Sequence, residues 1–254
     1  MRPSELFSFE TVDGTETCYG RIHYPSNFDP SEKWPILVNV YGGPESRAIR
    51  NTYAVSDPMT EFGFVIVQID NRGTEGRGKA FEGATYLKLG QVDLDDQAQG
   101  VNTLLERHEY LDEERVGITG HSYGGYMSAL ALLRHPNVFH VAVSGAPVTD
   151  WRNYDTIYTE RYMRTPEENP EGYRKGSCVD LAENLEGDLL LLHGMVDDNV
   201  HPSNAWQLVN EWQMKNIPFE MQFFPTSAHG IWAPASRSAK WSFLVEHLVG
   251  RESS

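Results

Sequence analysis

The segment Gly120-His121-Ser122-Tyr123-Gly124-Gly125 holds the residues of this sequence best suited to covalent chemistry. It follows the apolar run 115–119 and precedes a stretch with helical spacing. G-x-S-x-G between a strand and a helix is the setting of a nucleophile elbow, in which a tight turn pushes the serine hydroxyl outward. Larger residues at the glycine positions would collide with the neighbouring strand and helix. The turn strains the serine backbone, and the N-terminus of the next helix favours negative charge at the same spot. Without that context the pentapeptide fits a glycine-rich strand–helix turn as well as an elbow.

A serine hydroxyl is a weak nucleophile at neutral pH. It needs a histidine to take its proton and a carboxylate to orient that histidine. In this kind of chain the order is Ser, acid, His. Of the nine histidines, His23, His108, His121, His135, His140 and His193 precede any suitable acid, and His247 lies inside a helical stripe. His201 follows Asp197 too closely, which leaves His229 in the small-residue loop Thr226-Ser227-Ala228-His229-Gly230.

The acid is expected where the run 189–192 enters His193-Gly194-Met195-Val196-Asp197-Asp198-Asn199-Val200-His201. Asp197 is the first choice and Asp198 the second; a solvated loop of turn-forming residues is the alternative for both. His193, Asp197 and His201 have a spacing that would suit a metal on a helix, but the segment is a glycine-containing loop, so neither metal nor other cofactor is expected. Acyl transfer also requires donors for an oxyanion. The Tyr123 amide is one. The loop Tyr41-Gly42-Gly43-Pro44 should supply a second, from the Tyr41 phenol; from the residues alone, packing of Tyr41 at a strand end is the favoured reading.

These residues need a rigid frame. A hairpin is predicted from the runs 6–11 and 18–23 about Asp13-Gly14. Short apolar runs at 36–41, 64–69, 115–119, 141–144, 189–192 and 219–224 read as buried strands. Between several of them the period becomes helical: Leu94, Ala98, Val101 and Leu105; Tyr126, Ala129, Leu130 and Leu133; Ala205, Leu208, Val209 and Trp212; Trp241, Leu244, Val245 and Leu248. Strands alternating with such helices imply an α/β protein with a mostly parallel sheet covered on both faces. The stretch 151–186, rich in Tyr, Arg and Glu, reads as a helical insertion above the sheet.

The 254 residues fit one large domain over 1–254. A net charge of −15 argues against nucleic acid or an anionic membrane as the main partner. No apolar run reaches the length of a membrane span, and the N-terminus lacks the apolar core of a signal peptide. Two cysteines, Cys18 and Cys178, build neither a disulfide framework nor a metal cluster.

Several blocks occur in one order: Val40-Tyr41-Gly42-Gly43-Pro44, Asp70-Asn71-Arg72-Gly73-Thr74, Gly120-His121-Ser122-Tyr123-Gly124-Gly125-Tyr126, Tyr158-Thr159-Glu160-Arg161-Tyr162-Met163, His193-Gly194 with Asp197-Asp198-Asn199-Val200-His201, and His229-Gly230. In this the chain resembles the catalytic domain of the prolyl oligopeptidase family, most closely its dipeptidyl peptidase IV branch. The resemblance implies an α/β-hydrolase fold and a triad of Ser122, Asp197 and His229. It makes the Tyr41 hydroxyl an oxyanion donor beside the Tyr123 amide. It places Trp151, Tyr154, Tyr158 and Val200 around a compact pocket for proline or alanine, where the residues alone favour ordinary core packing. Asn199 would bond a substrate carbonyl, and Arg161 would lie beneath the site and order the insertion.

The implied function is a serine peptidase acting through an acyl-enzyme on peptide or small ester substrates. The alternatives are a carboxylesterase of broad short-acyl specificity and a non-catalytic binding domain. Members of the family carry a β-propeller before the hydrolase, with paired glutamates in this branch that grip the substrate amino terminus; both are missing from this sequence. A homodimer near the C-terminal end is a further expectation. So is a cytoplasmic site for a whole chain, or a periplasmic or extracellular one if a leader and propeller have been removed.

Overall fold

The structure, a computed structural model, describes residues 2–250. The expected domain bounds 1–254 run past them at both ends. Strands β1 (Glu5–Glu10) and β2 (Thr17–His23) form the expected hairpin. Gly14 takes a φ of 64° in its turn, and the Asp13 carboxylate accepts from the hydroxyls of Thr11 and Thr15. The other strands are β3 (Trp34–Asn39), β4 (Val65–Asp70), β5 (Leu111–His121), β6 (Val141–Gly145), β7 (Asp188–Gly194) and β8 (Glu220–Phe224). They build one sheet in the order β1-β2-β4-β3-β5-β6-β7-β8. The β1–β2 and β2–β4 pairs are antiparallel and the remaining pairs parallel.

Helices α1 (Lys79–Glu82), α2 (Val92–Arg107), α3 (Tyr123–Arg134), α4 (Thr156–Met163), α5 (Pro170–Lys175), α6 (Ser203–Met214) and α7 (Pro234–Leu244) complete the frame. Alternating side chains of the strands feed two cores. Ile36, Val38, Val67, Ile118 and Leu191 join the larger one with α2, α3 and α6. Leu37, Ile66, Val141, Val143 and Leu190 join the smaller one with Phe243 and Leu244 of α7. This is the α/β architecture expected from the alternating periods.

Two details differ from the sequence reading. Leu104 is the fully buried leucine at the end of α2, and Leu105 is half-buried against the same core. Helix α3 buries every residue except Arg134, not one stripe. It is covered by the sheet on one side and by the insertion on the other, so its apolar and small residues run all the way round. The insertion 151–186 holds α4, α5 and two short 3-10 turns.

Candidate active site

Strand β5 ends at His121 and α3 starts at Tyr123, so Ser122 occupies the whole turn. Its φ of 61° and ψ of −118° lie outside the ordinary region for a side-chain-bearing residue. Two main-chain bonds hold it there: its N–H donates to the Gly145 carbonyl at 2.8 Å, and its carbonyl accepts from the Tyr126 N–H at 2.9 Å. A methyl group on Gly120 or Gly124 would overlap the Val40 carbonyl, and one on Gly125 would overlap the Gly145 carbonyl. Backbone packs on backbone here, which explains the glycines. The Tyr123 amide belongs to the first helical turn, where amides have no partner within the helix.

The loop after β7 presents Asp197, whose side chain is fully buried. One carboxylate oxygen accepts from the amides of Asn199 and Val200 at 3.0 and 2.9 Å. The other accepts from His229 Nδ1 at 2.8 Å. A carboxylate only accepts, so the His229 proton sits on Nδ1 and leaves Nε2 as the basic nitrogen. His229 is tied at its backbone too, because its carbonyl accepts from His121 Nε2 at 2.7 Å. The two rings lie 4.9 Å apart, which sets His229 beside the residue that precedes Ser122. The Ser122 hydroxyl makes no hydrogen bond to the imidazole in this structure; such links commonly tighten only when substrate binds.

Asp198 is exposed, so burial separates the two candidate acids. His193 lies in the interior and donates from Nε2 to the Val200 carbonyl at 2.9 Å. Burial pulls its pKa down, keeping it neutral 3.4 Å from the Asp197 carboxylate. His201 is exposed and bonded to Ser203. His193, Asp197 and His201 therefore do not converge, and no group of three metal-ligating side chains occurs among the described residues.

Tyr41 stands just past β3, half-exposed, with its ring centroid 6.1 Å from that of Tyr123. Partial burial raises its pKa, so the phenol keeps its proton and remains a donor. Gly42 takes a φ of 75°, and its carbonyl accepts from Asn71 at 2.9 Å. A methyl group on Gly43 would come within 2.7 Å of the Tyr123 ring, so loop and elbow are in direct contact. Beneath them the Tyr123 hydroxyl donates to Asp93 at 2.5 Å. Asp93 is fully buried, and burial pushes its pKa up to about 6 against the opposing pull of that bond.

The residues proposed for substrate contact come from the insertion and the Asp197 loop. Trp151 stacks on Tyr158 at 5.8 Å, and Tyr154 meets Tyr158 edge-on at 5.4 Å. Trp151 is buried and backs the cluster, and Val200 is buried in the Asp197 loop; half-buried Tyr154 and Tyr158 carry the accessible surface. The Tyr154 hydroxyl donates to the Asn199 side-chain oxygen at 2.8 Å, which leaves the Asn199 amide nitrogen free to donate outward. Arg161 departs from expectation. It does not lie beneath the site but stands 63% exposed on the surface of α4, paired with Glu45 at 2.6 Å and laid over the Tyr162 ring. A guanidinium without an interior acid to pair with stays in water. It still fastens the insertion to the loop after β3.

The sequence model of the Prolyl oligopeptidase family matches residues 51–250. The chain belongs to the prolyl oligopeptidase family. Dipeptidyl peptidase 8 of Homo sapiens is 42% identical over 97% of this chain, and prolyl endopeptidase FAP of Mus musculus is 36% identical over 93%. The crystal structure of Porphyromonas gingivalis dipeptidyl peptidase 4 superposes with a TM-score of 0.91 at 36% identity, covering 97% of this chain and 36% of that one. The chain spans 28% of the length of dipeptidyl peptidase 8 and 32% of the FAP endopeptidase. It thus corresponds to one part of these serine-type peptidases of the prolyl oligopeptidase family.

Asp93 and Asn71 had no role in the sequence reading. Asn71 stood in one of the blocks that carry the family resemblance. Asp93 stood in the acidic run Asp93-Leu94-Asp95-Asp96, which reads as the solvated start of a helix. Only the packing of α2 against the sheet reveals that Asp93 and Asp96 point inward, Asp96 to a bidentate pair with Arg72.

Proposed function

We propose that this chain is the catalytic part of a serine peptidase that cleaves after proline or alanine. The carrying observation is the buried Asp197–His229 pair, fastened to the residue before a serine in a strained strand–helix turn. His229 Nε2 takes the Ser122 proton as the hydroxyl attacks the substrate carbonyl. Asp197 steadies the imidazolium that forms. The Tyr41 hydroxyl and the Tyr123 amide hold the oxyanion. The amine departs with the proton from His229, and water attacks the acyl-enzyme by the same route in reverse. The surface of Tyr154 and Tyr158 suits a compact apolar ring or methyl group, and the free Asn199 amide suits the substrate carbonyl. The names of the dipeptidyl peptidase relatives support a dipeptide as the acyl part.

A fluorophosphonate probe should label Ser122. An Ala-Pro arylamide should be hydrolysed faster, in kcat/KM, than an arylamide ending in leucine. Turnover of a short p-nitrophenyl ester without either arylamide would instead assign a carboxylesterase. No labelling would assign a binding domain.

A further inference from the structure

Across the sheet from the aromatic cluster lies a cavity of about 340 Å³ that the mechanism above does not use. Helix α7 forms one wall with Ser236, Arg237 and Lys240. Tyr41, His121 and Gly230 also line the cavity, together with residues at the C-terminal ends of β3, β5, β6 and β7. Those three residues are the oxyanion tyrosine, the neighbour of Ser122 and the neighbour of His229. Neither Ser122 nor His229 lines the cavity; it borders the site through Tyr41 and through their chain neighbours His121 and Gly230.

Position gives it a role. In an acyl-enzyme mechanism the imidazole must reach both the serine oxygen and the leaving nitrogen. The leaving group accordingly lies toward the histidine, away from the acyl pocket. Residues 151–200 supply the acyl cluster and contribute only Leu192 to this cavity.

Charge gives it a ligand. The chain carries −15 overall, yet no carboxylate lines this cavity and two cations do. Arg237 and Lys240 are three apart on α7 and so share a face. Neither forms an ion pair among the described residues. The Lys240 ammonium rests 4.7 Å from the centroid of the Trp241 ring. Burial pulls its pKa down to about 8, opposed only by the field of Asp57, whose carboxylate accepts from the Met59 amide. A partly desolvated ammonium next to an unpaired guanidinium is a site for an anion.

We propose that this cavity is the leaving-group subsite and that Arg237 and Lys240 take the free C-terminal carboxylate of a short peptide. The space suits about one or two residues beyond the scissile bond. This rests on the catalytic reading above and narrows it: a free carboxyl end one or two residues beyond the scissile bond is preferred over the same end blocked as an amide.

The test compares each peptide with its C-terminal amide, using Ala-Pro-Ala and Ala-Pro-Ala-Ala on the 254-residue chain. The acid should exceed its amide in kcat/KM by about tenfold for at least one length, the scale of a charge-assisted hydrogen bond. In the double variant Arg237→Gln, Lys240→Met the ratio should fall to about one, and Lys240→Arg alone should keep it. The ratio is internal to each variant, so partial loss of folded protein does not alter it. Calorimetric titration with dialanine and with its amide reads the same preference without turnover. An acid-to-amide ratio near one in the parent, or a ratio unchanged in the double variant, overturns the proposal. If no substrate turns over while calorimetry still favours the acid, the catalytic reading and with it the leaving-group role fail, and only the carboxylate-binding site stands. Equal binding of acid and amide removes the subsite whatever the chain hydrolyses.

Discussion

Around Ser122 the contacts that set the geometry run between main-chain atoms, whereas around Tyr158 they run between side chains. At the elbow, Gly120 and Gly124 press on the Val40 carbonyl and Gly125 on the Gly145 carbonyl. In the insertion, Trp151, Tyr154, Tyr158 and Tyr162 meet as rings 4.8 to 6.0 Å apart. A main-chain carbonyl in a strand or just past its end has little room to move, while a ring in a partly exposed cluster can tilt. The first arrangement fixes one atom in space. The second shapes a surface and tolerates change. Mutations on the two sides should therefore behave differently.

The largest contrast is expected from Ser122→Ala. It should lower turnover of the Ala-Pro arylamide by about 10⁵-fold or more, while the melting temperature stays close to the parent's. Residual turnover above that level would put the nucleophile elsewhere. Next is Tyr41→Phe, in which only the phenol oxygen is lost. A fall of about 10²–10³-fold in kcat with KM little changed is expected from an oxyanion donor. A parental kcat would return Tyr41 to packing at a strand end.

Gly124→Ala tests the rigid side directly. Its methyl group has no room against the Val40 carbonyl, and urea unfolding should reveal a loss of about 2–3 kcal/mol. A variant as stable as the parent would mean that the elbow can relax.

Asp93→Asn probes the buried carboxyl under Tyr123. The folded-state pKa of Asp93 is raised from 3.8 to about 6. Between those values the folded chain binds more protons than the unfolded one, so this group's contribution to stability falls as pH rises through the window. The Asn variant should lack that fall. Relative to the parent it should gain up to about 2 kcal/mol between pH 4 and pH 7. Parallel stability curves would show that Asp93 titrates as an ordinary carboxyl.

Smallest of all is Tyr158→Phe. The ring keeps its stacking on Trp151, and no hydrogen bond to the Tyr158 hydroxyl is present among the described residues. A change in stability within about 0.5 kcal/mol is expected. A cost as large as that of Gly124→Ala would erase the distinction between the two regions.

Much of the frame was legible because strand and helix periods are local. The run at 64–69 overlaps β4 in all but its first residue, the run at 189–192 falls within β7, and the Asp13-Gly14 turn joins β1 to β2. The all-round burial of α3 was not legible, because a stripe of Tyr126, Ala129, Leu130 and Leu133 looks the same whether the other face meets water or an insertion. The position of Arg161 followed the family resemblance, and it fails for a reason the sequence does not carry. Its partner Glu45 lies on a surface loop that is distant in the chain.

By itself the sequence determined the elbow, the alternation of strands and helices, and the membership that several ordered blocks announce. Each depends on residues within a few positions of one another, where backbone sterics and side-chain period act. Tertiary structure alone decided that Asp197 is buried and bonded to His229 while Asp198 faces water. It also turned Asp93 inward and left two cations of α7 facing a cavity without a carboxylate. Those outcomes depend on the register of parallel strands and on which face of a helix meets the sheet. Such relations join segments far apart in the chain, and no local pattern encodes them.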